Sequence, residues 1–301
     1  MVAGWNSALP HDQLTAARFR EVFLEDPNQE PEGLLVVEGE AGDLLGFAAC
    51  VLRRTPEGKD GRGNAWEYPR AYLRGLYIAE GGEAAEAATR LLAAAEGYAA
   101  DAGKRTMMVT VYTGRYVFPG IDVRYQRLRE LLGANRYRDV QTIEDVAVDL
   151  RAPGLARRLE EARQRCGPEV EVLVWEPGLL PALRSFAAEG KMPQWFPVGW
   201  EAEYGRRDPL CLVLRRWEEI LGWARYAPRP PTAGFGPILV LERVRGLGYG
   251  LRLLCECMAR ARDAGCETMS AGWANTGFYV RAGWEIRRRY AVFTKELGGG
   301  A

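Results

Sequence analysis

A chain of 301 residues, 48% hydrophobic and 27% charged, has the length of two ordinary domains and enough apolar side chains for their cores. Its 40 basic and 40 acidic residues cancel, which removes the electrostatic case for nucleic acid as a main partner. The single histidine, His11, leaves Ser–His or Cys–His catalysis one residue to recruit and leaves the common zinc sites short of ligands, so no metal is expected. No apolar run approaches the roughly 20 residues that span a bilayer. The start, "MVAGWNSALPHDQL", has no basic segment leading into an apolar one, so the cytoplasm is the expected location, with no membrane partner. The six cysteines form no CxxC pair and read as buried thiols.

In chain order, "LLGFA" (44–48) is the first clear strand fragment, and the polar "TPEGKDGRGNAWEYPR" (55–70) follows as an insertion. A helix carries "TRLL" (89–92) and ends at "DAG" (101–103). The stretch 112–137 holds a later helix with its stop at Gly133. "AVDLRAPG" (147–154) closes this half, and "LARRLEEARQRCG" (155–167) is an amphipathic helix that links it to the next.

The second half is clearer. "PEVEVLVWEP" (168–177) alternates as a strand does, and "GLLPALRSFAAEG" (178–190) reads as a helix. "PLCLVLRR" (209–216), "EILGWARYA" (219–227) and "GFGPILVL" (234–241) read as strands. After "ERVRGLGYG" comes the helix "LRLLCECMARARDAG" (251–265), with Gly265 as its cap. "CETMSAGW" (266–273) is a strand, "TGFYVRAGW" (276–284) a short helix, and "EIRRRYAVFTKEL" (285–297) the last strand.

The halves echo each other. "DAGKRTM" at 101 and "DAGCETM" at 263 differ by an offset of 162, and "TRLL" falls on "LRLL" (251–254) at the same offset. "LLGFA" falls on "ILGWA" (220–224) at 176, and the 14 extra residues match the 55–70 insertion. "LLGANRY" (131–137) pairs with "RAGWEIR" (281–287). The order is kept, so one domain has been duplicated. The expected division is 1–152, a linker helix over 153–167, and 168–301.

"RGLGYG" (245–250) joins a strand to a helix. Glycines there let the backbone turn sharply and leave N–H groups uncovered, which makes an anion site at the helix N-terminus. Arg245, Gly248 and Gly250 fit R-x-x-G-x-G, Val240 is the last apolar strand position before it, and Tyr279 precedes Gly283-Trp284 by four. With "ILGWA" as a middle strand, residues 168–297 resemble the GNAT N-acetyltransferases. The resemblance implies an α/β (α+β) fold of two tandem GNAT-like domains, each a mixed, mostly antiparallel sheet flanked by helices. It implies transfer of an acetyl group from acetyl-CoA to an amine on a small molecule or peptide, by direct attack. It implies cofactor contacts at Leu239, Val240, Arg245, Gly246, Leu247, Gly248, Tyr249, Gly250 and Asn275, and Tyr279 as the proton donor to the thiolate.

Departures exist. Trp replaces Phe twice, Glu242 stands for a frequent Pro, and Asn275 lies close to Tyr279. "FGPILVL" holds no acid, Glu242 sits where the chain turns toward the cofactor, and Glu201 and Glu203 could reach the cleft but read better as solvated carboxylates, so the base is unassigned and a water chain would also serve. A non-catalytic acyl-CoA-binding or scaffold protein is the competing reading. "KMPQWFPVGWEAEYG" (191–205) holds Trp195, Phe196, Trp200 and Tyr204, which either pack as core and lid or line an acceptor pocket. In the first copy, Arg245, Gly246, Gly248 and Gly250 fall on Glu83, Ala84, Glu86 and Ala88. Two carboxylates where a polyanion would dock predict a first domain that does not bind CoA.

Overall fold

The computed structural model describes residues 1–298 apart from 62, 64, 116, 193–194, 197–199 and 205–207. The chain divides into two compact units, Met1–Ile143 with Arg289–Ala301, and Glu144–Arg288. Among the described residues no helix is long and apolar enough to cross a membrane.

The first unit begins with helices α1 (Val2–Ala8) and α2 (Ala16–Phe19). Its strands are β1 (Leu34–Glu38), β2 (Leu44–Leu52), β3 (Arg70–Ile78), β4 (Thr106–Val109) and β5 (Ile121–Asp122). Helices α3 (Ala84–Asp101) and α4 (Gln126–Ala134) follow β3 and β5, and β6 (Arg138–Asp149) starts here. β2 and β3 are buried nearly end to end, because their continuous apolar runs suit a sheet covered on both faces. α3 buries Ala84, Ala87, Ala88, Leu91, Leu92, Ala95 and Ala99, a stripe at helical spacing.

The second unit holds α5 (Leu155–Cys166), β7 (Val170–Trp175), α6 (Leu180–Gly190), α7 (Trp200–Glu203), β8 (Asp208–Arg216), β9 (Glu219–Arg229) and β10 (Thr232–Val240). Then come α8 (Tyr249–Asp263), β11 (Thr268–Ala274) and α9 (Thr276–Val280), and β12 (Glu285–Glu296) starts here. Within each unit the sheet is mixed and mostly antiparallel, in the order β1-β2-β3-β4-β12 in the first and β6-β11-β10-β9-β8-β7 in the second. Among the described residues the parallel pair in each is β3 with β4 and β10 with β11.

The strand registers reproduce the repeat. Arg70 opposes Thr106 and Thr232 opposes Thr268, so both partners shift by 162. Gly46 opposes Ile78 and Gly222 opposes Val240, which carries the 176 offset into the neighbouring pair. α3 and α8 end at Asp101 and Asp263, the aspartates of the repeated phrase.

The units differ from the expected boundaries of 152 and 168. The end of β6 pairs with β11, from Thr268↔Asp149 to Ala274↔Glu144. Val146, Val148 and Leu150 are buried in the second unit's core. Conversely, the end of β12 pairs with β4 and β5, and Ala291 and Phe293 are buried in the first unit's core. Each copy's closing strand completes the other copy's sheet. Both strands alternate and both suit an antiparallel edge, so pattern does not distinguish the two pairings.

The expected linker helix is α5, and it belongs to the second unit. Its buried face is Leu155, Leu159, Ala162 and Cys166. Leu159 packs with Cys255 and Ala259 of α8, at roughly 2 kcal/mol for a buried leucine. The stop expected at Gly133 is not there. Gly133 lies inside α4, and Arg136, at φ 67, makes the left-handed turn beyond it. All six cysteines are buried.

Candidate cofactor and acyl-transfer site

The site in the second unit starts from a divergence of strands. β10 and β11 pair over residues 232–234 and 268–270. β10 then shifts register between Phe235 and Ile238, at Gly236-Pro237, and continues against β9 alone. β11 continues against β6. A cleft therefore opens at the C-terminal ends of the two strands, the usual place for a ligand at a parallel pair.

The loop after β10 has the geometry of an anion cradle. Gly246 and Gly248 have φ of 84 and 91, a region that side chains disfavour. Gly248 is the N-cap of α8 and provides no side-chain cap. The first-turn N–H groups of α8 are therefore left for a ligand, on the positive end of the helix dipole. Nothing stands within 4 Å of where a β-carbon on Gly246 would lie, whereas one on Gly250 would meet the Phe278 ring at 3.2 Å. Arg245 is exposed, 3.9 Å from Glu242. These residues suit a diphosphate, and with it a CoA-type cofactor.

The sequence-predicted residues separate into two groups. Val240 Cγ2 lies 3.7 Å from the β-carbon position of Gly250, and Phe278 beside it leads to Tyr279, so strand end, loop and α9 converge. Leu247 is exposed at the loop, and Asn275 is exposed at the entry to α9. Leu239 and Tyr249 instead bury their side chains, Leu239 against Gly190, so they face the site through backbone alone.

Tyr279 is buried among Phe235, Phe278 and Trp284, with ring centroids 5.0 to 6.0 Å away. Among the described residues no hydrogen bond holds its hydroxyl. Burial pushes its pKa up to about 12, so the phenol stays protonated and able to donate.

Three residues went unread in the sequence. Glu144, opposite Ala274 at the end of β11, accepts a 2.5 Å hydrogen bond from the Thr276 hydroxyl at the start of α9. It comes from β6, 132 residues away, and only strand pairing brings it there. Arg158 and Arg165 lie on α5. Arg158 donates to the Ala282 carbonyl at 3.2 Å, just past α9. Arg165 donates to the Gly246 carbonyl at 3.5 Å. Their spacing of seven places them on one helix face, a signal hidden by the many arginines of that helix.

Glu201 pairs with Arg184 at 3.7 Å, and the Glu203 side chain lies outside the described residues. Phe196, Trp200 and Tyr204 are buried and packed on one another, with Trp175 on Tyr204. Among the described residues of 191–205 these three aromatics are core, and Trp195 is half-buried against Trp223.

The first unit's counterpart is built differently. Glu83 is the N-cap of α3 and Glu86 lies in its first turn. Arg127 donates to the carbonyls of Ala79 and Gly81 at 3.4 Å and pairs with Glu80 at 3.8 Å. Where β3 and β4 part, Trp5 of α1 fills the gap. It is 1% exposed and packs on Tyr77, Phe23 and Phe118. Only about 10 Å³ remains around it, Arg74 and Thr110. A cavity of about 320 Å³ lies nearby, between Leu9, Ile78 and Leu128, with Glu80 in its wall and no glycine loop.

The family model described as the acetyltransferase (GNAT) family matches residues 4–116 and 177–284. No curated protein matches the chain. Among solved structures, a GCN5-related N-acetyltransferase from Sphaerobacter thermophilus aligns over 100% of the chain and 91% of its own, at 19% identity and a TM-score of 0.68. A tandem GNAT protein from the clavulanic acid biosynthesis pathway aligns over 100% and 96%, at 15% identity and 0.60. A glucosamine N-acetyltransferase region of a fungal multi-domain β-N-acetylglucosaminidase aligns over 98% of the chain, at 15% identity and 0.76; the chain spans 36% of that protein. At these identities the likeness is one of fold, and it is the tandem fold.

Proposed function

The chain belongs to the GNAT family of acetyltransferases, and from that premise we propose that its second unit moves an acetyl group from acetyl-CoA to an amine on a small molecule or peptide. The observation that carries this reading is the uncapped N-terminus of α8 behind Gly246 and Gly248, set at the open end of the β10–β11 cleft beside Tyr279. Bound acetyl-CoA supplies an acetyl group activated as a thioester. The backbone N–H groups of 245–250 hold its diphosphate, with Arg245 alongside. The backbone of Leu239 and Val240 borders its pantetheine arm. Asn275, at the other wall, is the remaining contact.

The amine must arrive neutral and attack directly, so this chain has two proton tasks. Tyr279 holds a proton at its hydroxyl for the departing sulfur, and the raised pKa keeps it there. Glu144, held by Thr276 at the start of α9, takes the proton from the amine, directly or through a water. The cytoplasm is the proposed setting. The first unit is proposed to bind no CoA, because Glu83 and Glu86 stand at its helix N-terminus and Trp5 fills its strand gap.

Calorimetry with acetyl-CoA tests the reading on wild type and on Gly248→Glu, which copies Glu86 into the second unit. One molecule bound per chain, lost in the variant, supports it. Two per chain would sink the silent first unit. No binding to wild type would favour a scaffold made of two acetyltransferase folds.

A further inference from the structure

We infer that Arg165 of α5 is a second cationic ligand for the cofactor's diphosphate, supplied from outside the glycine loop. The inference rests on the cofactor reading above. A β-carbon on Gly248 would lie 3.1 Å from Arg165 Cδ and 3.3 Å from its Nε, so the Arg165 side chain lies directly on the loop. Its only hydrogen bond among the described residues is the 3.5 Å contact to Gly246, at the outer limit of such a bond. A guanidinium carries five N–H donors in a planar fork, so most of its donor capacity is unspent. It is exposed, and among the described residues no carboxylate pairs with it.

Its neighbours on α5 are committed elsewhere. Arg157 pairs with Glu161 at 2.7 Å, and Arg163 pairs with Glu256, which also holds Arg252 at 3.0 Å. Arg158 is bonded to Ala282. Arg165 is thus the α5 cation left for a ligand, and it lies against the same glycine loop at the uncapped start of α8. Arg245 and Arg165 put two guanidinium groups beside the positive end of α8. Paired oxygens of a diphosphate fit a guanidinium fork, which is why arginine and not lysine suits the position. The fixed placement comes from packing: Ala162 and Cys166, flanking Arg165 on the helix, are buried in the unit.

The test is calorimetry with CoA and with 3′-dephospho-CoA, which keeps the diphosphate and lacks the other phosphate. Arg165→Gln should weaken both by the same factor, about tenfold, the scale of one charge-assisted hydrogen bond. Arg165→Lys should recover part of the loss. Arg157→Gln removes the same charge from the same helix two turns away and should bind as wild type does. Unchanged CoA affinity in Arg165→Gln overturns the assignment while leaving the cofactor reading intact. A loss with CoA that vanishes with 3′-dephospho-CoA overturns it too, since Arg165 would then serve the 3′-phosphate. An equal loss in Arg157→Gln would reduce the effect to net charge and also overturn it. Wild type that binds neither probe overturns the cofactor reading and this inference with it.

Discussion

The guanidinium of Arg158 occupies the space that a side chain on Gly283 would need. A β-carbon there would lie 2.7 Å from Arg158 Cζ, and Gly283 has a φ of 85. The adjoining backbone holds Tyr279, whose carbonyl accepts from Ala282 at 2.8 Å and Trp284 at 3.2 Å. Arg158 therefore braces the turn that carries the proposed proton donor.

Gly283→Ala should cost about 1–2 kcal/mol from backbone strain, with more from displacing Arg158. Arg158→Ala removes the collision, so the double variant should lose less than the sum of the single ones. Chemical unfolding of the four proteins measures the coupling. In steady state, Arg158→Ala should lower kcat and leave the KM for acetyl-CoA nearly unchanged. A shift in KM alone would place Arg158 in binding and not in positioning.

Tyr279→Phe should lower kcat by about a hundredfold, the low end for a positioned general acid, with acetyl-CoA affinity retained. Its hydroxyl has no partner among the described residues, so stability should change by less than about 0.5 kcal/mol near neutral pH. The pH dependence has a definite sign. The unfolded phenol loses its proton near pH 10, whereas burial keeps the folded one protonated to about 12. The stability from this group is present below pH 10 and lost between 10 and 12. Wild type should show that added loss relative to Tyr279→Phe. Activity should rise with pH as the amine deprotonates and show no fall from Tyr279 below pH 10.

Glu144→Gln keeps the acceptor oxygen for Thr276 and removes the carboxylate base. We expect kcat to fall at least about tenfold, with little change in acetyl-CoA binding. Equal rates for Glu144→Gln and wild type would leave water as the base.

Trp5→Ala should destabilise the first unit by about 3–5 kcal/mol, the usual cost of deleting a buried large aromatic. It should not create a second cofactor site, because Glu83 and Glu86 remain at the helix N-terminus. Calorimetric stoichiometry with acetyl-CoA should stay at one per chain; a rise to two would mean that the aromatic plug, and not the carboxylates, silences the first unit.

Much was legible in the residues because it is local or periodic. The offsets of 162 and 176 reappear in the strand registers, since an alternating strand and a striped helix dictate their own faces. Gly246 and Gly248 could be singled out because a left-handed turn excludes most side chains, and both adopt one. The loss of that loop in the first copy was likewise written in Glu83 and Glu86.

What pattern could not reach is pairing between distant segments. Either closing strand suits either sheet edge, so the exchange that brings Glu144 to Thr276 at the end of β11 and Phe293 to the first unit's core depends on which edges meet in the folded chain. Charge on α5 reads as a solvated face until its apolar stripe docks on α8. Docking then decides that Arg158 meets Gly283 and Arg165 meets Gly248, because an arginine's partner is set by where its helix lies and not by its neighbours in sequence.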